Sequence, residues 1–305
     1  MRTSAPLPAP LVGRIFTVEQ SAAFGISRSR TRASDLTAPF RGVRAPAIEL
    51  PHVALCVAAL QRRTETAAVS HRSAALLHSL PVPQRLRSDR RIDLAVPTGA
   101  RAPRGRGIRG HQLNLRPEDI VVIAGVRTTS PLRTFCDLGA ALTLPELVAI
   151  ADHLVRRSVG RFSVADLATA IGAWPGSRGI RKLRRAIELV DPDAESPKES
   201  ELRVLLIESG LPHPASQHVV RDRDGRFVAR IDLAYPDLLI GIEYEGDHHR
   251  DRAQWRADLA RRRRMEALGW LYIPVTQADL DDPLGLLADL RTAVAARLQT
   301  RRVAT

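Results

Sequence analysis

Apolar and polar positions alternate most regularly between Phe227 and Glu245. Phe227, Ala229, Ile231, Leu233 and Tyr235 are apolar, with Arg230, Asp232 and Ala234 between them, the period of two expected of a strand with one buried face. Pro236-Asp237 interrupts the run. Leu238, Ile240, Ile242 and Tyr244 resume it, with Gly241, Glu243 and Glu245 in the opposite parity. The pattern predicts a β-hairpin. A two-residue loop at Asp237-Leu238 sets Asp232 opposite Glu243; a loop at Pro236-Asp237 sets it opposite Gly241 and diagonal to Glu243. Either register puts Asp232, Glu243 and Glu245 on one face.

Around this hairpin the pattern predicts helix, three strands, helix, strand, helix. Ser196-Pro197-Lys198-Glu199 opens the first helix with the spacing of a capping box. Glu199 also lies on one stripe with Leu202 and Leu206, which points it toward the sheet, and both roles stay open. Gln217 to Arg221 is a first strand and Asp224-Gly225 a hairpin turn. A helix runs from Asp251 to Leu268 and is stopped by Gly269. Trp270 to Val275 is a fourth strand in which Pro274 marks a ladder end or a sheet edge. Asp282-Pro283 opens the last helix.

The remainder of the chain reads as smaller pieces. Residues 1–10 are Pro/Ala-rich and expected to be disordered. Thr17 caps a short helix through Ala23, Gly25 stops it, and Ser27 starts a second helix over SRSRTRASDL. Helix, turn, helix followed by a β-wing at Phe40 to Arg44 is the outline of a winged helix-turn-helix over residues 11–50. Arg28, Arg30 and Arg32 on the second helix are its candidate DNA contacts. A middle α+β region over 51–178 is expected, with helices at 53–62, 73–80, 131–138, 144–156 and 163–171, strands at 91–96 and 120–123, and a basic loop at 101–110. Residues 179–195 are expected to be a basic amphipathic helix and linker, and 196–305 a separate domain. His71 and Asp137 read as a helix-cap contact and a core-edge carboxylate rather than as catalytic groups.

Composition sharpens this picture in two ways. A net charge of +13 and a pI near 11.1 point to a polyanionic partner, although 44 of the 46 basic residues are arginine, a skew that also fits a compositional bias. Cys56 and Cys136 lack partners at metal-binding spacing and read as buried free thiols of a cytoplasmic protein. The longest apolar run, Val53 to Leu60, falls short of a membrane span, and no charged-then-apolar leader is present, so no membrane partner is expected.

Three carboxylates on one sheet face repel unless a cation sits among them, and an oxygen-only cluster suits Mg2+ or Mn2+. His248 or His249 is suited to moving a proton at neutral pH, or is one of a surface pair after a glycine turn. Of Arg261, Arg262, Arg263 and Arg264, at most two can face one bound backbone, and Asp258 is placed to pair with Arg261 or Arg262.

The order of elements, with Asp232 and a Glu-x-Glu on adjacent strands and the segment IEYEGDHH, resembles the PD-(D/E)xK nuclease superfamily in its Vsr-type branch. Asp258, Arg261, Met265, Leu268 and Gly269-Trp270 match as well. The resemblance implies a restriction-endonuclease-like αβββαβ core and Mg2+-dependent (or Mn2+-dependent) hydrolysis of DNA phosphodiesters. It makes Asp232, Glu243 and Glu199 the metal ligands, Asp232, Glu243, Glu245 and His249 the catalytic set, and Arg261 a further DNA contact. Glu245 stands where the superfamily carries a lysine. Residues 11–160, through FRGVRAP, Ser70 to Ala75 and Gly125 to Thr134, resemble AbiEi-like antitoxins, which implies DNA binding by the head. The expected fold class is mixed α/β. The expected function is an endonuclease in phage defence or DNA repair, the alternative being a non-catalytic antitoxin-type regulator. Expected partners are DNA, with a toxin or a second copy of the chain as further candidates.

Overall fold

The computed structural model describes residues 4–158, 161–176, 178–246 and 252–304. They form a mixed α and β structure with three sheets and, among the described residues, twelve α-helices. Two units divide the chain: residues 1–141 with 172–180, and residues 142–171 with 181–305.

The first unit begins with β1 (Phe16–Thr17) and α1 (Val18–Ala23). Thr17 accepts a hydrogen bond from the Gln20 backbone at 3.0 Å, and the Gln20 side chain accepts one from Thr17 N at 2.7 Å, a reciprocal cap. β2 (Leu36–Thr37) and β3 (Val43–Pro46) complete a sheet of order β1-β3-β2. The second helix expected from Ser27 is not formed; Arg30–Arg32 make a single 3-10 turn. The cause is local competition for the backbone. Ser27 Oγ accepts from Arg30 N at 3.2 Å, and Thr31 Oγ1 donates to the Arg28 carbonyl at 2.9 Å.

There follow α2 (His52–Leu60), β4 (Ala68–Val69), α3 (His71–Leu77), α4 (Gln84–Arg87), β5 (Ile92–Pro97), β6 (Ile108–Leu113), β7 (Ile120–Ile123), β8 (Val126–Thr129) and α5 (Pro131–Leu138). The five strands are ordered β6-β5-β4-β8-β7. Cys56, Val69, Ile92, Leu94 and Val126 form the core between this sheet and its helices. The end of the expected basic loop, from Ile108 onward, is a strand parallel to β5. Both cysteines are free and buried.

The second unit contains α6 (Leu144–Val155), α7 (Val164–Gly172), α8 (Ile180–Glu188), α9 (Pro197–Glu208), β9 (Ala215–Arg221), β10 (Phe227–Tyr235), β11 (Ile240–Tyr244), α10 (Arg252–Ala267), β12 (Leu271–Val275), α11 (Gln277–Asp281) and α12 (Leu284–Ala304). Residues 179–195 are not a free linker, since Leu183, Ala186, Leu189 and Ala194 are buried. The reason is an ionic tie between α6 and α9. Asp152 accepts from Arg203 Nη2 and Ser200 Oγ, both at 2.6 Å, and from Asp191 N at 2.7 Å. Arg203 Nη1 also donates to the Leu189 carbonyl at 2.5 Å, so the chain between the two helices is gathered onto one guanidinium.

The sheet of this unit has the order β12-β11-β10-β9, with β11 and β12 parallel and the other pairs antiparallel. Leu233 pairs with Ile242 and Tyr235 with Ile240. Continuing that register sets Asp232 opposite Glu243, the first of the two alternatives. The loop is a 3-10 turn over Pro236–Leu238 with Leu239 at φ 52°, in the left-handed region.

The apolar alternation of β10 does not mark one buried face. Ala229 and Ile231 join Met265 and Trp270 in one cluster, whereas Leu233 and Tyr235 join Leu202, Leu206, Ile240 and Leu290 in another. The strand changes face at Asp232. On β9, Gln217, which the Ile231–His218 and Leu233–Ser216 pairs bracket opposite Asp232, has φ 52° and no regular partner, the irregularity that lets the pattern shift.

Replacing Asp152 with alanine leaves the Arg203 guanidinium buried without its carboxylate. The expected cost is about 3–5 kcal/mol, read as a lowered denaturation midpoint of the full-length protein.

Candidate functional site

The change of face at β10 turns the Asp232 side chain toward carboxylates from two other elements. Glu199 sits in the first turn of α9, where Ser196 Oγ accepts from its backbone N–H at 3.2 Å. Half of the capping box is therefore present, yet the Glu199 side chain points inward and is 8% exposed. Its Oε2 accepts from Gln217 Nε2 at 2.8 Å and from Glu195 N at 3.0 Å. Both roles anticipated for Glu199 are thus filled in part. Glu243 on β11 is equally buried, at 8% exposed.

Asp232 is the uncompensated member of the group. Its Oδ2 accepts one hydrogen bond from Tyr244 N at 3.1 Å. Burial first, and then the Glu199 and Glu243 carboxylates, push its pKa up to about 7, against which the Tyr244 N–H and Arg261 act more weakly.

Glu243 and Glu245 are served from α10 and β12. Arg261 donates to both oxygens of Glu243, at 2.5 and 2.8 Å, a bidentate pair. Arg262 pairs with Glu245 and lies 4.3 Å from the centre of the Tyr272 ring. The Tyr272 hydroxyl is 3.0 Å from Glu243 Oε2 and 3.1 Å from Glu245 Oε1. It has one hydrogen for two acceptors, and burial with the neighbouring Glu243 raises its pKa. Arg261 also stands 3.9 Å from Asp258 along the helix. Tyr272 and Gln217 were not anticipated: neither carries a charge, and a fourth-strand tyrosine is an ordinary core residue by pattern.

Asp232, Glu199 and Glu243 are therefore together, and Glu245 joins them through Tyr272. His249, with its neighbours His248 and Arg250, lies outside the described residues. Among the described residues, no group of three or more His, Cys, Asp and Glu side chains has the arrangement of a metal site. The bidentate Arg261–Glu243 pair already engages both oxygens of one of the three carboxylates.

In the first unit, Arg28, Arg30 and Arg32 do not share a helix face. Arg30 donates to both oxygens of Asp35, at 2.9 and 2.7 Å, and to the Ala5 carbonyl at 2.5 Å, so its guanidinium is already engaged. Arg28 and Arg32 instead line a cavity with arginines from other segments. His71, the first residue of α3, stacks on His111 with ring centres 3.7 Å apart, and its Nδ1 lies 3.1 Å from Ser70 Oγ. His111 Nε2 is 3.0 Å from Asp93. Burial and the second imidazole push the His71 pKa down to about 3. Asp137 accepts from Arg133 Nε at 2.8 Å, but burial outweighs that partner and pushes it up to about 6.

No family model matches the chain, and no solved structure matches it. The chain is 30% identical over 183 residues to an uncharacterized protein of Mycobacterium tuberculosis, matched in two strains. The alignment covers 60% of this chain and 65% of the relatives, so the chain spans just under two thirds of their length. No described helix is long and apolar enough to cross a membrane.

Two outcomes follow from the titrating carboxylates. In the presence of chelator, Asp232→Asn removes a buried like-charge repulsion and is expected to stabilise the fold at pH 8 by about 1–3 kcal/mol, measured by denaturant unfolding. For Asp137 the folded state holds the proton more tightly than the unfolded state. Its contribution is fully present below about pH 4 and declines as pH rises to about 6. Asp137→Asn is expected to flatten the stability profile across that interval.

Proposed function

We propose that the chain is a Mg2+- or Mn2+-dependent DNA endonuclease whose second unit carries a restriction-endonuclease-like αβββαβ core. The observation that carries this reading is the convergence of Asp232, Glu199 and Glu243 from three elements, with the Asp232 pKa raised by burial and then by the other two carboxylates. The order α9-β9-β10-β11-α10-β12 supports the same reading.

The donor set fits a hard divalent ion: three buried or half-buried carboxylates, all oxygen ligands, one of them raised in pKa by burial and by the other two. Asp232 and Glu243 would hold the ion, with Glu199 as a third ligand. When bound, such an ion neutralises charge on phosphoryl oxygens and acidifies water. Gln217 and Glu195 N hold the Glu199 carboxylate in place. Arg261 must exchange one of its two bonds to Glu243 for the carboxylate to bind elsewhere, and a guanidinium so released is suited to a phosphodiester oxygen. At the position where the superfamily carries a lysine, Glu245 is neutralised by Arg262, which brings a cation to that place from the following helix.

A second reading, a DNA-binding regulator without turnover, is favoured by one observation. Both Glu243 and Glu245 already have arginine counter-charges, so the fold does not need an ion to satisfy them.

A plasmid-nicking assay with Mg2+, Mn2+ or Ca2+ separates the two. Wild-type protein is expected to nick with Mg2+ and Mn2+. Asp232→Asn is expected to lose at least on the order of 10–100-fold, the loss that even outer-shell groups of a metal site produce. Equal activity in wild type and variant, or none in either, sinks the nuclease reading.

A further inference from the structure

The first unit holds a groove whose charges its own structure leaves unanswered. Two adjoining cavities of about 790 and 1180 Å3 share Arg41, Arg44, Arg62, Arg63 and Arg104 in their walls. Arg28 and Arg32 extend the wall of the smaller one. The walls come from separate segments: the 3-10 turn, the β2–β3 hairpin, the end of α2, and the loop before β6.

Partners divide these arginines into two sets. Arg44 is fixed by the Thr31 carbonyl and by the Val43 carbonyl at 2.8 Å, and Arg62 is paired with Glu19 at 2.9 Å. Among the described residues, no carboxylate or carbonyl ties the side chains of Arg28, Arg32, Arg41, Arg63 or Arg104. Arg63 Nε is moreover shielded from solvent and has no hydrogen-bond partner. Glu19 is the single acid in the walls and is already committed. These five guanidiniums, with Arg90 and Arg106 also in the wall of the larger cavity, are complementary to a chain of phosphates rather than to one small anion.

The walls also restrict how such a chain is read. They contain no Asn or Gln for adenine edges, and the 3-10 turn of three residues is too short to carry arginines into a major groove as a recognition helix, which leaves the arginines to the backbone phosphates. Phe40, the aromatic residue in the walls, packs beside Gly107, where an added Cβ would come within 3.2 Å of its ring. The ring is also partly buried against the core of this unit, so it serves packing more than stacking on unpaired bases. We infer that this groove binds the phosphodiester backbone of duplex DNA without regard to base sequence, and that the groove rather than a recognition helix supplies the DNA affinity of the first unit. The choice of DNA as the polyanion rests on the endonuclease reading; the groove itself does not.

The test is fluorescence anisotropy with the full-length protein in chelator, where no cleavage can contribute. Probes are two unrelated DNA duplexes, their single strands, and an RNA duplex of one of the sequences, each titrated across salt. Wild type is expected to bind the two DNA duplexes within about threefold of each other, with a slope of log affinity on log salt of about −4 to −5 for five phosphate contacts. Arg41→Gln with Arg104→Gln, both exposed loop residues whose replacement spares the core, is expected to reduce that slope by about 2. Affinity at 100 mM salt should fall by about tenfold or more. Arg223→Gln, the same type of charge change on the exposed β9–β10 turn, should leave binding within about twofold.

Unchanged binding by the Arg41/Arg104 double variant overturns the inference. So does a preference of about a hundredfold for one duplex sequence, or stronger binding of single strands or RNA than of duplex DNA. The anisotropy assay is run in chelator and reads no cleavage, so loss of the nuclease reading in the nicking experiment and loss of the groove are separate results.

Discussion

A carboxylate taken out of water has to be answered by a counter-charge or a proton, and the sheet of the second unit takes three of them out of water at once. Apolar clusters lie on both sides of β10, one around Met265 and Trp270 and the other around Leu202, Leu206 and Leu290. Glu199, Asp232 and Glu243 are caught between these layers. The arrangement of the surrounding elements follows from how each is answered. α10 delivers two guanidiniums, β12 delivers the Tyr272 hydroxyl, and the β9 irregularity delivers Gln217. What is left is Asp232, which is answered by one backbone N–H and whose pKa burial and the two neighbouring carboxylates push up to about 7.

Much of this was legible in the chain because it is local. The hairpin, its acidic residues, the Ser196 cap and the helix ending at Gly269 all follow from spacing and turn chemistry, and the structure selects one of two registers already implied. What the pattern concealed is non-local. The alternation from Phe227 to Tyr235 is a fair sign of a strand, yet it does not record that Gln217, some fifteen residues earlier, adopts a left-handed conformation that lets the strand change face. Asp-Pro-Asp at 191–193 has the composition of a linker, but Asp152 and Arg203 reach across it and bury their charges together. In the head, Ser27 has the character of a helix N-cap, and Ser29 and Thr31 follow it in the segment SRSRTRASDL. Their side chains instead bind the local backbone and one another and cut the helix to one turn. The arginine–glutamate pairs at 243 and 245 were within reach of the composition, though no periodicity links a strand residue to a helix residue 17 or 18 positions later.

The large positive charge also changes meaning once each arginine is located. Arg72, Arg133 and Arg203 are nearly inaccessible and hold Asp93, Asp119, Asp137 and Asp152 inside their units. Arg30 closes on Asp35. Each such arginine is matched by a carboxylate, so these pairs add nothing to the net charge, and the excess of +13 resides in the arginines outside them. The arginines that line the first unit's groove differ in being gathered on one side of several loops, where their fields add.

Pro274 has a bearing on how copies of the chain meet. β12 is an edge strand, and its bonds to β11 run through Leu271 N and the Val275 carbonyl, so its odd-numbered residues face inward. The even-numbered positions turn their backbone outward, and there Pro274 has no N–H to offer. An incoming strand would find a donor at Tyr272 and then a gap, which is too little to nucleate a ladder. The rim of the sheet that borders the acidic cluster is thereby poorly suited to β-pairing with another chain.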